Sequence, residues 1–240
     1  MNINRYNEFS IIIPTLNEEK GAVILIKKII KLYKNMKIIV VDDGSIDNTA
    51  SNIKKLSQKY KQILFINRAK FNIKKGLTGS IIHGILVSNT KYVIVIDADL
   101  QHPFQKIKNI IELLNNSNDD NDLVVGVRAN VINWKLHRKI ISRILMSIGS
   151  FILIITNKER CNDIFSGFFG IKRKLFLKIY KSNKKRFVDY GFKVLFDFLK
   201  CINKGNIKIA EVPYIFENRK YNKSKASAKQ FIYLIKSFIT

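Results

Sequence analysis

Short apolar runs rich in β-branched residues recur through the first half of the chain, and longer stretches with helical periodicity separate them. The runs are residues 9–13, 37–41, 64–66, 92–96 and 123–127. Continuously apolar runs of this length read as strands covered on both faces. The segments between them, 20–33, 47–60, 76–87 and 103–114, read as amphipathic helices. Such a β-α-β-α rhythm constrains the fold strongly, because parallel strands need crossover connections and those place helices on both sides of the sheet. The expectation is a Rossmann-like α/β architecture, a doubly wound, mostly parallel sheet with helices on both faces. Ligands of such sheets sit beyond the carboxyl ends of the strands. Polar residues that directly follow a strand are therefore the ones to examine.

The second half is less regular. Residues 134–157, 172–181 and 190–203 read as helices, 163–170 as a turn with a short strand, and 207–216 as a strand. With 240 residues and no internal repeat, the chain reads as a single domain over residues 1–240. Residues 1–127 form a first half, 128–225 a second, and 226–240 an amphipathic tail. In that tail Phe231, Ile232, Leu234, Ile235, Phe238 and Ile239 alternate with Lys229 and Lys236. Such a helix can lie on a membrane or pack on its own domain. No run reaches the ~20 apolar residues of a membrane span, and the N-terminus lacks the apolar core of a signal peptide. Residues 144–155 are the longest apolar stretch, interrupted by Ser147, Gly149 and Ser150. An interfacial helix is favoured there over a buried one.

Charge is distributed unevenly. The net charge is +25, of which residues 1–127 contribute +6 (18 basic, 12 acidic) and residues 128–240 contribute +19 (25 basic, 6 acidic). That asymmetry points the second half at phosphates, on an anionic bilayer or on nucleic acid. Two cysteines, Cys161 and Cys201, make no disulfide framework and read as buried thiols.

Three polar motifs follow strands. Asp97-Ala98-Asp99-Leu100-Gln101 comes after residues 92–96. If the chain stays extended, Asp97, Asp99 and Gln101 project to one side and offer oxygen ligands to a hard divalent cation. A helix N-cap ahead of Pro103 is the competing use of these residues. Asp42-Asp43-Gly44-Ser45, followed by Asp47, succeeds the second run, where a carboxylate can hold a base or ribose, or Asp47 can cap a helix. Pro14-Thr15-Leu16-Asn17-Glu18 succeeds the first, with Pro14 ending the strand and Glu18 able to accept ribose hydroxyls. Neither a G-x-G-x-x-G fingerprint nor a P-loop is present. His83, His102 and His137 lack metal-ligand spacing and read as structural or surface residues.

These motifs, with Lys75-Gly76-Leu77, resemble family 2 glycosyltransferases of the GT-A fold. The second half narrows the resemblance to the dolichol-phosphate mannose synthase group. It does so through Gly126-Val127-Arg128, Trp134 with Arg138 and Ser142, Asp163-Ile164-Phe165-Ser166-Gly167-Phe168, and Glu211-Val212-Pro213 with Phe216, Arg219, Ser224 and Lys225. The resemblance implies that Pro14, Glu18, Val41 and Asp43 hold the nucleoside, and that Asp97, Ala98 and Asp99 line the sugar diphosphate. It places Mg²⁺ or Mn²⁺ on Asp99 and Gln101, and assigns phosphates to Arg128, Arg219 and Lys225, with Asp99, Arg128 and Arg219 as the catalytic set. Arg138 and Arg143 are weaker candidates for phosphates or lipid headgroups. The chain departs from the pattern at Leu16, where Tyr is usual, at Asn222 in place of Gly, and at Phe104-Gln105 in place of Pro-Glu.

The implied reaction is transfer of mannose from GDP-mannose to dolichyl or another polyprenyl phosphate, with inversion. The same chemistry with UDP-glucose or another nucleotide sugar is the nearest alternative. The expected setting is peripheral, on the cytoplasmic face of an anionic membrane, with room for a membrane-anchoring protein partner. A basic nucleic-acid-binding protein leaves the acidic motifs unexplained, so no nucleic-acid partner is expected. An inactive regulatory subunit is disfavoured by intact Asp97, Asp99, Arg128 and Arg219.

Overall fold

The computed structural model describes residues 3–71, 75–116, 118–132, 136–191, 193–221 and 228–239, without the side chains of 3–5, 137 and 228–231. A seven-stranded sheet runs through the centre. Its strands are β1 (Phe9–Thr15), β2 (Lys37–Asp42), β3 (Ile63–Asn67), β4 (Tyr92–Val95), β5 (Leu123–Val131), β6 (Phe169–Lys172) and β7 (Ile209–Phe216). The order is β3-β2-β1-β4-β6-β5-β7. Only β6 opposes its neighbours, pairing antiparallel with both β4 and β5; β1 with β2, β1 with β4, β2 with β3 and β5 with β7 are parallel.

Helices cover both faces, and the strand residues divide between them. Phe9, Ile11 and Ile13 of β1, with Ile38 and Val40 of β2 and Tyr92 and Ile94 of β4, face a core that includes buried residues of α1 (Glu19–Leu32), α2 (Thr49–Lys59) and α4 (Ile107–Leu114). Ile12, Ile39, Val41, Val93 and Val95 face the other core, with α3 (Leu77–Val87), α5 (Leu136–Ile155), α6 (Arg173–Ser182), α7 (Val194–Leu199) and α8 (Ala228–Ile239). Two buried faces explain why the strands read as unbroken apolar runs.

Two expectations change. Pro14 does not end β1, since it stays in register with Val41, and Thr15 with Asp42. The carbonyl of Ile12 accepts from Ile96 N–H and that of Thr15 from Asp43 N–H. Pro14 therefore faces the β4 side beyond the last β1–β4 bond, where its missing donor costs nothing. The helix expected over 190–203 is shortened to α7. Its first residues are held back because the carbonyls of Asp189 and Gly191 accept from Gly79 and Thr78 at the start of α3.

Candidate active site

The loops after β1, β2, β4 and β7 meet at the carboxyl ends of the strands. Asp42 is fully buried and shapes this rim rather than facing a ligand. It accepts from Thr15 Oγ1 at 3.0 Å, Gly44 N at 3.1 Å and Ser45 N at 2.9 Å. Asn17, Ser45 and Thr49 stitch the β1 and β2 loops together through Asn17 N to Ser45 Oγ and Glu18 N to Thr49 Oγ1, both 2.8 Å. Asp47 is not the helix cap: the cap is Asn48, which makes no side-chain capping bond, and Asp47, one residue ahead of it, accepts from Thr49 N at 3.0 Å. Asp43 is also buried. It is ion-paired with Arg68 and accepts from Gly76 N at 2.6 Å. Burial raises its pKa, and Arg68 opposes that rise. Val41 lies in the core with its side chain turned inward, and Pro14 is buried too. Any contact that Val41 makes with a ligand runs through its backbone.

The Asp97–Gln101 segment is not extended, contrary to the alternation argument. Strand β4 stops at Val95, and Leu100 takes a left-handed conformation (φ 62°). The turn closes because Asp99 Oδ1 accepts from Gln101 N at 3.0 Å, a local competition that short acidic side chains win readily. Asp99 and Gln101 are each 7% exposed. Gln101 donates its amide to the Glu217 carbonyl at 2.9 Å, so Oε1 is the atom of this side chain that could take a cation. Close backbone approaches frame the turn. A Cβ on Gly21 would stand 2.7 Å from the Ala98 carbonyl oxygen, and one on Gly167 would stand 2.6 Å from Asp97 Oδ2. Among the described residues no group of three or more His, Cys, Asp or Glu forms a metal cluster; the two side chains expected to take a cation are one carboxylate, Asp99, and one amide, Gln101.

Arginines close the site. Arg219, just after β7, spans Glu18 Oε1 at 3.1 Å and Asp99 Oδ2 at 2.8 Å. It thereby ties the β1 and β4 loops together. Burial, then the neighbouring Asp97, raises the Asp99 pKa, while His102 and Arg219 hold it down. Arg128 on β5 makes a two-pronged pair with Asp163, at 2.6 and 2.7 Å. Burial pulls the Arg128 pKa down, but Asp163 outweighs it and the net shift is upward. Arg138 of α5 stands within electrostatic reach, since burial and then Arg219 and Arg128 lower its pKa. An open cavity of about 470 Å³ beside Arg128 is lined by Lys139, Ser142, Arg143, Ser147 and Asp163 among others. A larger groove, about 560 Å³, lies between α1 and α2 and contains none of the rim carboxylates at Asp43, Asp97 or Asp99.

Sequence reading missed two participants. Lys193 donates to the Phe165 carbonyl at 3.2 Å, and burial followed by Arg128 brings its pKa down to about 7. Its neighbours in sequence give no motif, so only the fold reveals it. His102, read as structural, reaches Asp97 (Nε2 to Oδ2, 3.1 Å). Lys225, Ser224, Asn222 and Trp134, like the side chain of His137, lie outside the described residues. His83 packs edge-on to Phe71, its ring centroid 5.7 Å away.

The glycosyl transferase family 2 model matches residues 10–180. The dolichol-phosphate mannosyltransferase of Pyrococcus furiosus is 33% identical over 226 residues, covering 92% of this chain and 59% of its own length. This chain thus spans about three-fifths of that relative. The enzyme of the same name from Saccharomyces cerevisiae is 26% identical, covering 94% and 83%. Among solved structures, glucosyl-3-phosphoglycerate synthase from Mycobacterium tuberculosis, in complex with Mn²⁺, UDP-glucose and phosphoglyceric acid, superposes with a TM-score of 0.65. It is 18% identical and the match covers 98% of this chain and 81% of that one, a likeness of fold alone. The fold is GT-A, and with the family model spanning most of the sheet and the motifs of its rim, the chain belongs to glycosyl transferase family 2.

Proposed function

We propose that the protein transfers mannose from GDP-mannose to dolichyl or another polyprenyl phosphate, inverting the anomeric carbon. The observation that carries this reading is the Glu18–Arg219–Asp99 bridge at the carboxyl ends of the sheet. It sits in a chain whose relatives at 26–33% identity are named dolichol-phosphate mannosyltransferase. Asp43 and Glu18 stand at the nucleoside end of the cleft, and Asp97 and Asp99 at the sugar diphosphate.

Asp99 and Gln101 suit Mg²⁺ or Mn²⁺. A buried carboxylate whose ionisation is opposed by burial and by a second carboxylate is relieved by a divalent cation, and both ligands are hard oxygen donors. When bound, the ion withdraws charge from the departing diphosphate. The protein supplies the rest. Arg219, Arg128 and Lys193 place positive charge where donor and acceptor phosphates must approach one another, and the family resemblance assigns Lys225 to the same phosphates. A phosphate monoester is dianionic above its second pKa of about 6, so its oxygen attacks the anomeric carbon without a general base while the bond to the diphosphate breaks. The cavity bounded by Arg128, Lys139, Ser142 and Arg143 fits the acceptor phosphate.

The lipid needs a surface. On α5 the side chains of Leu136, Ile140, Ile144, Ile148, Phe151 and Ile155 recur at three- and four-residue spacing and are exposed, Leu136 by 74% and Phe151 by 61%. Gly149 and Leu153 face inward and anchor the helix. Among the described residues no helix is long and apolar enough to cross a membrane. An exposed apolar stripe beside Arg138, Lys139 and Arg143 fits an anionic bilayer surface. The deciding test is glycolipid formation from a panel of nucleotide sugars and a polyprenyl phosphate in the presence of Mn²⁺ or Mg²⁺. GDP-mannose giving no product would defeat the reading, and UDP-glucose as the better donor would replace the donor while keeping the chemistry.

A further inference from the structure

His102 is buried among three aromatic rings, those of Phe168, Tyr214 and Phe216, at centroid distances of 5.6, 5.5 and 5.3 Å. Both of its ring nitrogens are engaged: Nε2 stands 3.1 Å from Asp97 Oδ2, and Nδ1 stands 2.7 Å from the Tyr214 hydroxyl. A carboxylate only accepts, so Nε2 carries the proton. In the neutral ring Nδ1 is then the acceptor, and Tyr214 must donate. Burial raises the Tyr214 pKa and keeps that proton in place. The same oxygen is packed close to Gly167, where a Cβ would come within 2.6 Å of Oδ2.

We infer that Tyr214 and His102 are positioning residues, a hydrogen-bonded chain from β7 that fixes the tautomer of the imidazole and through it the orientation of the Asp97 carboxylate toward the donor sugar. A histidine merely filling the core needs neither a defined tautomer nor a carboxylate of the site as its partner. The fixed ring also presents a donor to Asp97, so that both oxygens of that carboxylate cannot turn away from the cleft together. The inference rests on the proposed transfer for its catalytic consequence, and on geometry alone for its tautomer.

Two measurements on the full chain test it separately. The first is steady-state transfer by wild type, His102→Leu, His102→Gln and Tyr214→Phe, alongside GDP binding. His102→Leu should lower kcat about 10–100-fold, the usual cost of losing the partner that orients a functional side chain. GDP affinity should fall less than kcat, because GDP has the diphosphate but lacks the sugar that Asp97 is proposed to orient. His102→Gln, whose amide offers an N–H near the position of Nε2, should recover most of the loss, and Tyr214→Phe should show a smaller one. The second is nitrogen NMR of the imidazole, which needs no activity. Wild type should show Nε2–H with Nδ1 unprotonated, and Tyr214→Phe a mixture of tautomers. Unchanged kcat in His102→Leu with wild type active, or in Tyr214→Phe should the leucine variant fail to fold, would overturn the inference; so would an Nδ1–H tautomer in wild type. Absence of transfer by wild type with every donor would instead remove the proposed function and leave the tautomer to be decided by NMR.

Discussion

Arg219→Ala should reveal the electrostatic balance of the site through stability as well as rate. The guanidinium bonds two carboxylates that are each under 10% exposed, and is itself 22% exposed. Hydrogen bonds to charged groups contribute about 1.5–3 kcal/mol each, and partial solvent access places these at the lower end. A net loss of about 1–3 kcal/mol at neutral pH is expected, which for a chain of this size lowers Tm by about 2–4 °C per kcal/mol. The pH dependence has a definite sign. Burial already raises the Asp99 pKa above its ordinary value, and Arg219 is among the groups that restrain it. The folded state therefore binds a proton on Asp99 more tightly than the unfolded state, and stability falls as pH rises through the window between the ordinary and the raised pKa. Removing Arg219 widens that window upward, so the variant should lose more stability at about pH 7.5 than at about pH 5. Thermal unfolding in excess chelator at the two pH values measures this. In turnover, at least a tenfold loss is expected from about 1.4 kcal/mol. Arg219→Lys should recover part of it, because a point charge cannot span Glu18 and Asp99 as the planar fork does. The preferred nucleotide base should not change, since Asp43 stands apart with Arg68. Equal destabilisation at both pH values, wild-type turnover, or a switch of base would refute this reasoning.

Three further outcomes follow from the same geometry. Asp99→Ala should abolish transfer with the fold retained, and excess chelator should do the same to wild type; activity surviving either treatment would remove the metal from the reaction. Ile144→Ser with Phe151→Ser should weaken binding to anionic vesicles at least about tenfold, given ~1.5–3 kcal/mol for burying a large apolar side chain, and salt should weaken it further; partitioning equal to wild type would show that α5 does not face lipid. Lys193, with a pKa near 7, is only partly charged at neutral pH, so binding a nucleotide diphosphate should draw a proton onto it. Calorimetry in buffers of different ionisation heat should show proton uptake in wild type and none in Lys193→Met, and identical buffer dependence in both would disprove the assignment.

The sheet was legible because burial on both faces writes itself into the sequence as continuous apolar runs, and the strand ends carried the acidic motifs. What was not legible came from contacts distant in sequence. Nothing near Arg128 says that Asp163, 35 residues on, takes both prongs of its guanidinium. Arg219 meets Glu18 across 201 residues. Lys193 is placed by the irregular stretch ahead of α7, and local periodicity mistook that stretch for helix because it cannot see that its carbonyls are claimed by α3. The alternation rule failed at Asp99 for a local reason. The rule assumes extended backbone, and the Asp99 side chain itself bends the chain by capturing the Gln101 N–H. The tail read equally well as membrane-facing or packed. In α8 Leu234 and Ser237 are buried and Phe238 packs edge-on to Phe196 and tilted to Phe165, while Ile232, Ile235 and Ile239 are exposed, so one helix has a face for each use.

The carboxylate partners of the two arginines bear on how the proposed site keeps itself folded. On the proposed reading the cleft takes two phosphate-bearing substrates and must hold several cations close together, and Arg219 and Arg128 are among the groups that lower the pKa of Arg138, after burial. Like charges at such range would splay the loops apart unless something neutralised them. Asp163 does this for Arg128, and Glu18 with Asp99 does it for Arg219. The two pairs differ in what substrate binding can do to them. Asp163 is 4% exposed and grips Arg128 through two nitrogens, so that guanidinium is held in place by a partner that the proposed phosphate contact does not require it to leave. Arg219 is shared between Glu18, assigned to the nucleoside, and Asp99, assigned to the metal. On the proposed reading both carboxylates acquire new partners when donor and cation bind, which frees Arg219 for the diphosphate. On that reading Arg128 is a fixed anchor and Arg219 changes partners as the site fills, and the Arg219→Ala variant should then be rescued in stability, though not in rate, by a divalent cation.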